Sequence, residues 1–219
     1  MKQYIYCIIC SGLLLLSACS KQETPGSGVG YFMLDQLALS CGEEIIPLTR
    51  AVDAHLHIQL WQGSTLLKEY APGSDLSKRV VLPVGDYILK AFTSDATEAP
   101  NNEPGIPVYL TVRNFTVEEA DLTTLSLIVP QVNVGVFVSY DQFFLSAFRD
   151  VSLQIWSVSG RIVTVYGTED RALRYFNLPS DGILNYKLSA TNADGEVFTM
   201  TRQLALVIAR NYHLNMGAP

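Results

Sequence analysis

From residue 29 onward, hydrophobic and polar positions alternate with a period of two along most of the chain. His55-Leu56-His57-Ile58-Gln59-Leu60 alternates, as do Tyr87, Leu89 and Ala91, then Val108, Leu110 and Val112, then Val132, Val134, Val136 and Val138. Alternation at this density of Val, Ile, Thr and Tyr predicts half-buried antiparallel strands. Turn signals interrupt the runs at Gln62-Gly63-Ser64, Pro83-Val84-Gly85-Asp86, Ser159-Gly160, Ser180-Asp181-Gly182 and Ala193-Asp194-Gly195. Asp194-Gly195, between two strand-like runs, is the sharpest hairpin signal, because a tight turn needs positive φ that Gly supplies cheaply. Many short strands separated by such turns predict an all-β sandwich or barrel. Only Asp141 to Phe148 reads as briefly helical, with Phe143, Phe144, Leu145 and Phe148 expected to tuck onto the core.

The pattern also repeats. Ile58-Gln59-Leu60-Trp61 recurs as Leu153-Gln154-Ile155-Trp156, and Leu82-Pro83, Gly85, Tyr87, Leu89, Ala91 recurs as Leu178-Pro179, Gly182, Tyr186, Leu188, Ala190. Val117, Ala120, Leu125 and Leu127 match Leu206, Ala209, Leu214 and Met216 with identical internal spacing. Three matches in the same order, displaced by roughly one immunoglobulin-like domain of about 100 residues, predict two tandem antiparallel β-sandwich domains, 29–130 and 131–219. The linker near Pro130-Gln131 is so short that the domains are expected to be tilted together.

The first residues follow a different logic. After Lys2, the apolar stretch from Ile5 to Leu16 falls short of the roughly 20 residues a helix needs to cross a bilayer core. A positive start, a short apolar middle and small residues before a cut site are the layout of a signal peptide, here residues 1–18. Leu16-Ser17-Ala18-Cys19 resembles a bacterial lipobox, in which small Ser17 and Ala18 fit a protease subsite and the Cys19 thiol forms a thioether to a diacylglyceryl group. Several acyl chains, each methylene worth about 0.8 kcal/mol, hold a protein on a membrane where one chain does not. Residues 19–28, rich in Gly, Ser, Pro and charge, are expected to form a flexible tether. The glycines at 26, 28 and 30 do not make a phosphate loop, which must follow one strand and open a helix.

Charge and cysteine usage narrow the picture. With 15 Lys+Arg against 21 Asp+Glu and a formal net charge of -6, the chain has no basic footprint for nucleic acid or an anionic membrane surface. Of four cysteines, Cys7 and Cys10 leave with the signal and Cys19 is consumed by lipid, so Cys41 remains as a small buried hydrophobe, an intermolecular disulfide being the minor alternative.

Candidate chemistry is sparse. His55 and His57 share one strand face, but a stable zinc site wants three or four ligands and none joins them in the motif, so no metal or cofactor is expected. His213 is expected to face solvent or the other domain. GxSxG and HExxH are missing from the string, and the Cys-x-x-Cys of Cys7 and Cys10 leaves with the signal. Glu43-Glu44, Glu118-Glu119-Ala120-Asp121 and Glu169-Asp170 read as solvated loop acids rather than a carboxylate pair held across a cleft. No catalytic residues are assigned. Trp61 and Trp156 stand out instead. In both copies the flanking apolar residues take the core side, turning the indole outward, where it could stack on a glycan or anchor an envelope protein; the alternative is that each is covered by its own loop or by the other domain.

The lipobox, GSGVGYFML, the LTRA at 48–51, LPVGDYILKA and VNVGVFVSYDQFFLSAFRDVSLQIW together resemble an uncharacterised class of Bacteroides-type surface lipoproteins with tandem Ig-like or transthyretin-like repeats. The chain is similar, more distantly, to fimbrillin-type pilin and anchor lipoproteins. That resemblance implies a cell-envelope, outer-membrane location, and it makes Arg50, before Ala51, a candidate processing site behind the first strand. The expectation is therefore a lipid-anchored, non-catalytic adhesion or ligand-binding module. The alternatives are a fimbrial subunit or anchor assembled by strand exchange, and an accessory protein to a surface hydrolase.

Overall fold

The computed structural model describes residues 28–47, 56–71, 74, 78–93, 98–207 and 209–217. The signal peptide, Leu16, Ser17, Ala18, Cys19, Arg50 and His55 lie outside the described residues. The fold is all-β, in two sandwich-like units. The first contains β1 (Val29–Cys41), β2 (Glu44–Pro47), β3 (His57–Gln62), β4 (Thr65–Tyr70), β5 (Val80–Pro83), β6 (Gly85–Phe92), β7 (Leu110–Val117) and β8 (Leu122–Pro130). The second contains β9 (Asn133–Tyr140), α1 (Gln142–Ala147), β10 (Phe148–Ser157), β11 (Ile162–Tyr166), β12 (Arg174–Asn177), β13 (Ile183–Asn192), β14 (Val197–Ala205) and β15 (Asn211–Met216).

The two units share a wiring plan. One sheet runs β4-β3-β6-β7, and its counterpart runs β11-β10-β13-β14. In the facing sheets, β1 pairs antiparallel with β5 and parallel with β8, while β9 pairs antiparallel with β12 and parallel with β15. Alternation alone predicts antiparallel strands, so these parallel pairs are a correction to detail. They arise because first and last strands of a unit meet after the whole unit has crossed between them. Each sandwich has its own core. Phe32, Leu34, Ile58, Leu60, Tyr87 and Leu89 are among the residues that fill the first, and Val134, Val136, Leu153, Ile155, Phe176 and Leu188 among those that fill the second.

Local sequence explains the exceptions to strict alternation. Along β1 the inward residues are Phe32 and Leu34, then Leu37, because a bulge between Leu34 and Gln36 inserts one residue and flips the parity. In β7, Phe115 and Val117 are buried while Leu110 and Val112 face outward and are exposed, opposite to the expectation for Leu110 and Val112. Each face of this strand carries two apolar residues, and the register opposite buried Tyr87 selects Phe115 for the core. In α1 only Phe144 is buried; Phe143 and Leu145 are exposed, because a six-residue helix presents one narrow stripe. Asp141 caps it, accepting from the Phe144 N–H at 2.7 Å. The β13–β14 hairpin forms at Asp194-Gly195, but its last register pair is Thr191 with Val197, and the Asn192 side chain accepts from the Glu196 N–H at 2.8 Å, so the loop is wider than a two-residue turn. Cys41 carries a free thiol and is half-buried rather than buried, since it ends β1 at the hairpin opposite Glu44.

The β6–β7 connection joins the units. Glu98 accepts from Ser159 Oγ at 2.6 Å and from the Asn177 N–H at 3.2 Å. Asn101 and Asn102 side-chain oxygens accept from the N–H groups of Ile162 (2.8 Å) and Thr164 (2.9 Å), and the Asn102 N–H donates to Ile162 O at 3.0 Å. The Tyr175 N–H donates to Pro104 O at 2.8 Å. A loop of the first unit thus covers the edges of both β11 and β12, which would otherwise present unpaired backbone. Buried Arg161 ties the same loop down by donating to the carbonyls of Glu103 and Tyr175. At the crossing, Asn133 accepts from the Val108 N–H at 2.9 Å and donates to Ile106 O at 2.8 Å.

Candidate functional site

The outer face of the β4-β3-β6-β7 sheet is set by parity. Ile58 and Leu60 are buried, so His57, Gln59 and Trp61 project away from the core, and register places Phe92, Lys90 and Ile88 beside them on β6. The Trp61 ring is half-buried. Lys90 Nζ stands 4.6 Å from its centroid, and its Nε1–H donates to Gln59 Oε1 at 3.2 Å. Gln59 in turn donates to Glu69 Oε1 at 3.3 Å, and His57 Nδ1 lies 3.6 Å from the same oxygen while its ring stacks on Phe92 at 5.5 Å. Exposed Leu66, opposite Trp61, and exposed Val112, opposite Lys90, extend the apolar surface.

The second unit presents the same elements. Gln154 and Trp156 project from β10, and Lys187 sits opposite Gln154 as Lys90 sits opposite Gln59. Trp156 is also half-buried, with Ile162 and Asn185 as its register neighbours. Thr164 takes the position that Glu69 holds in the first unit, so the second face lacks that carboxylate. Gln and Trp were legible as a repeated string. The lysines, Glu69, Leu66 and Val112 were missed, because only strand register brings them alongside. An indole, an ammonium and an amide on a flat sheet can stack on a ring, attract an anion and hydrogen-bond hydroxyls.

Other polar clusters have more limited chemistry. Ser139 Oγ lies 2.7 Å from His213 Nε2 and 3.1 Å from Asn215 Oδ1 on an exposed sheet face, and the ring tilts against Phe137 at 4.9 Å. Among the described residues no carboxylate is hydrogen-bonded to His213, so the pair lacks the orienting acid of a nucleophilic triad. No group of three His, Cys, Asp or Glu among the described residues could hold a metal ion, and no helix among them is long and apolar enough to cross a membrane. Of the loop acids, Asp170 is drawn into an ion pair with buried Arg174 rather than left to solvent.

Fold and surface together define an all-β protein of two repeated sandwich units bearing aromatic, cationic outer faces. Residues 28–219 match the family "Domain of unknown function (DUF4493)", and the chain belongs to that family. No curated protein matches it. Among solved structures it is similar to a candidate adhesin from Bacteroides ovatus at 11% identity, covering 94% of this chain and 98% of that one with a TM-score of 0.42. It is also similar to a candidate cell adhesion protein from Bacteroides uniformis (10% identity, 84% and 91% covered, TM-score 0.47). A third is a candidate polysaccharide-binding protein from Bacteroides thetaiotaomicron (13%, 82% and 90%, TM-score 0.46).

Proposed function

We propose that the chain is a non-catalytic binding module of the cell envelope, held at the outer membrane by lipid on Cys19 and engaging a glycan or an envelope protein through its outer sheet faces. The observation that carries this reading is the recurrence of Gln59, Trp61 and Lys90 as Gln154, Trp156 and Lys187 at equivalent register positions. A core position recurs because each unit needs a core; an outward cluster of this kind has no such requirement. Glycan arrays and pull-downs from intact cells with Trp61→Ala and Trp156→Ala test it. Binding is expected to fall at least tenfold in one or both variants, and unchanged binding in both removes these faces from the function. The anchor is tested separately: Cys19→Ser is expected to release the protein from the envelope and to abolish incorporation of labelled fatty acid.

A second reading, a fimbrial subunit assembled by strand exchange, is favoured by one feature of β1. This strand contributes Phe32, Leu34 and Leu37 to the first core, and the hairpin strand after it ends at Pro47, shortly before Arg50. Cleavage after Arg50 would cut the chain behind both strands and allow a neighbour's strand to take their place. An amino terminus at Ala51 in protein from its native envelope supports that route, and a blocked terminus at Cys19 opposes it.

A further inference from the structure

Tyr186 holds on β13, opposite Ile155, the register position that Leu89 holds on β6 opposite Leu60, so a half-buried tyrosine stands where the first unit places a buried leucine. Leu89 faces Arg113 across the sheet. Tyr186 faces Arg202. Arg202 follows Phe198 and Met200 at two-residue spacing, on the side of β14 from which Met200 and Leu204 pack against the core. Arg202 itself is exposed, on the edge strand β14. Beside Tyr186 lies a cavity of about 430 Å³, lined by Phe144, Phe148, Phe198, Met200 and Met216 together with Arg202. The inserted α1 supplies Phe144, which is buried and lies against Phe148 with ring centroids 4.9 Å apart.

Arg202 donates to Thr201 O at 3.2 Å, and among the described residues it has no ion pair, so most of its guanidinium fork is uncommitted. Pockets of this size with apolar walls and few polar groups are the usual form of a small-molecule site. A single planar cation at the mouth matches a single carboxylate in a two-pronged pair.

We infer that this cavity binds a small amphipathic carboxylate, its apolar body among Phe144, Phe148 and Met200 and its carboxylate on Arg202. The site is distinct from the Trp61 and Trp156 faces and does not rest on their proposed role. Calorimetric titration of the full chain with decanoate, and with 1-decanol as the uncharged analogue, tests it. Decanoate is expected to bind at least tenfold more tightly than decanol, and Arg202→Gln to remove that preference. Arg202→Phe, which sets an aromatic ring against the cavity in place of the cation, is expected to abolish binding of both and to raise the melting temperature. Neutral phosphatidylcholine vesicles free of fatty acid, mixed with the unacylated Cys19→Ser full chain, distinguish a free acid from a lipid-borne chain and are expected not to bind. The proposal is overturned by absence of decanoate binding at millimolar concentration, by equal binding in wild type and Arg202→Gln, by retained binding in Arg202→Phe, or by binding to the vesicles alone.

Discussion

The guanidinium of Arg161 lies 4.8 Å from the ring centroid of Phe176, sandwiched between the second core and the loop that the first unit lays across it. Burial is the largest influence on Arg161 and pulls its pKa below the usual arginine value, while Glu98 and Glu103 act the other way. The side chain stays useful because it satisfies the carbonyls of Glu103 and Tyr175, two backbone groups from different units. Arg161→Gln is too short to reach both. Hydrogen bonds to charged groups contribute about 1.5–3 kcal/mol each, and an orphaned buried carbonyl adds to the loss. The variant is expected to lose about 2–4 kcal/mol in urea unfolding. Faster amide exchange at Ile162 and Thr164, the edge groups that the loop covers, should accompany it.

Gly30 explains part of the glycine-rich entry to the first strand. The β7–β8 turn crosses directly over it: the Ala120 N–H donates to Val29 O at 2.9 Å and the Tyr31 N–H to Asp121 O at 2.8 Å. A Cβ at residue 30 would come within 2.1 Å of Glu118 O and 2.6 Å of Val117 Cγ1. Backbone cannot yield as a flexible side chain can. Gly30→Ala is expected to cost about 1–3 kcal/mol, the usual range for overpacking. Thermal melts should detect it, whereas Gly63→Ala, with open space around its Cβ but positive φ, should lose about 1 kcal/mol from strain alone.

Asp141 fixes where α1 begins, and α1 in turn places Phe144 in the second core. Its carboxylate accepts from the Phe144 N–H, one of the donors that the first helical turn leaves unpaired. Asp141→Ala is expected to cost about 1 kcal/mol, and Asp141→Asn, which keeps the oxygen, only a few tenths. A chemical denaturation series on the three proteins measures both differences.

How much of this was legible in the sequence follows from what a one-dimensional pattern can carry. Alternation placed Tyr87, Leu89 and Ala91, and Val134, Val136 and Val138, on the core side, as they are. It failed at Leu110 and Val112 because each face of β7 carries two apolar residues, and only register against Tyr87 decides between them. The repeated Gln and Trp were visible as neighbours in the string. Lys90, Glu69 and Lys187 lie one strand away, and hydrogen-bonded pairing across the sheet is needed to bring them there. The stretch from Glu98 to Gly105 carried no periodic signal, since its order comes from acceptors that fit the edges of another unit's strands.

Tyr140 gives the fold a measurable alkaline limit. Its hydroxyl is buried with no hydrogen-bond partner, and burial, reinforced by the nearby charge of Asp170, pushes its pKa up to about 12 from the ordinary value of 10.0. Below pH 10 both folded and unfolded chains keep the proton, so this group leaves stability unchanged. Between pH 10 and about 12 the unfolded chain releases the proton while the folded one retains it, so the unfolded state is favoured progressively as pH rises. Tyr140→Phe removes both the stranded hydroxyl and its titration, and the ring contact with Phe144 at 5.3 Å can remain. The variant is expected to match or exceed wild-type stability at pH 8. Its melting temperature should fall less steeply than that of wild type between pH 10 and 12. Parallel slopes for the two proteins across that window would show that Tyr140 does not set the limit.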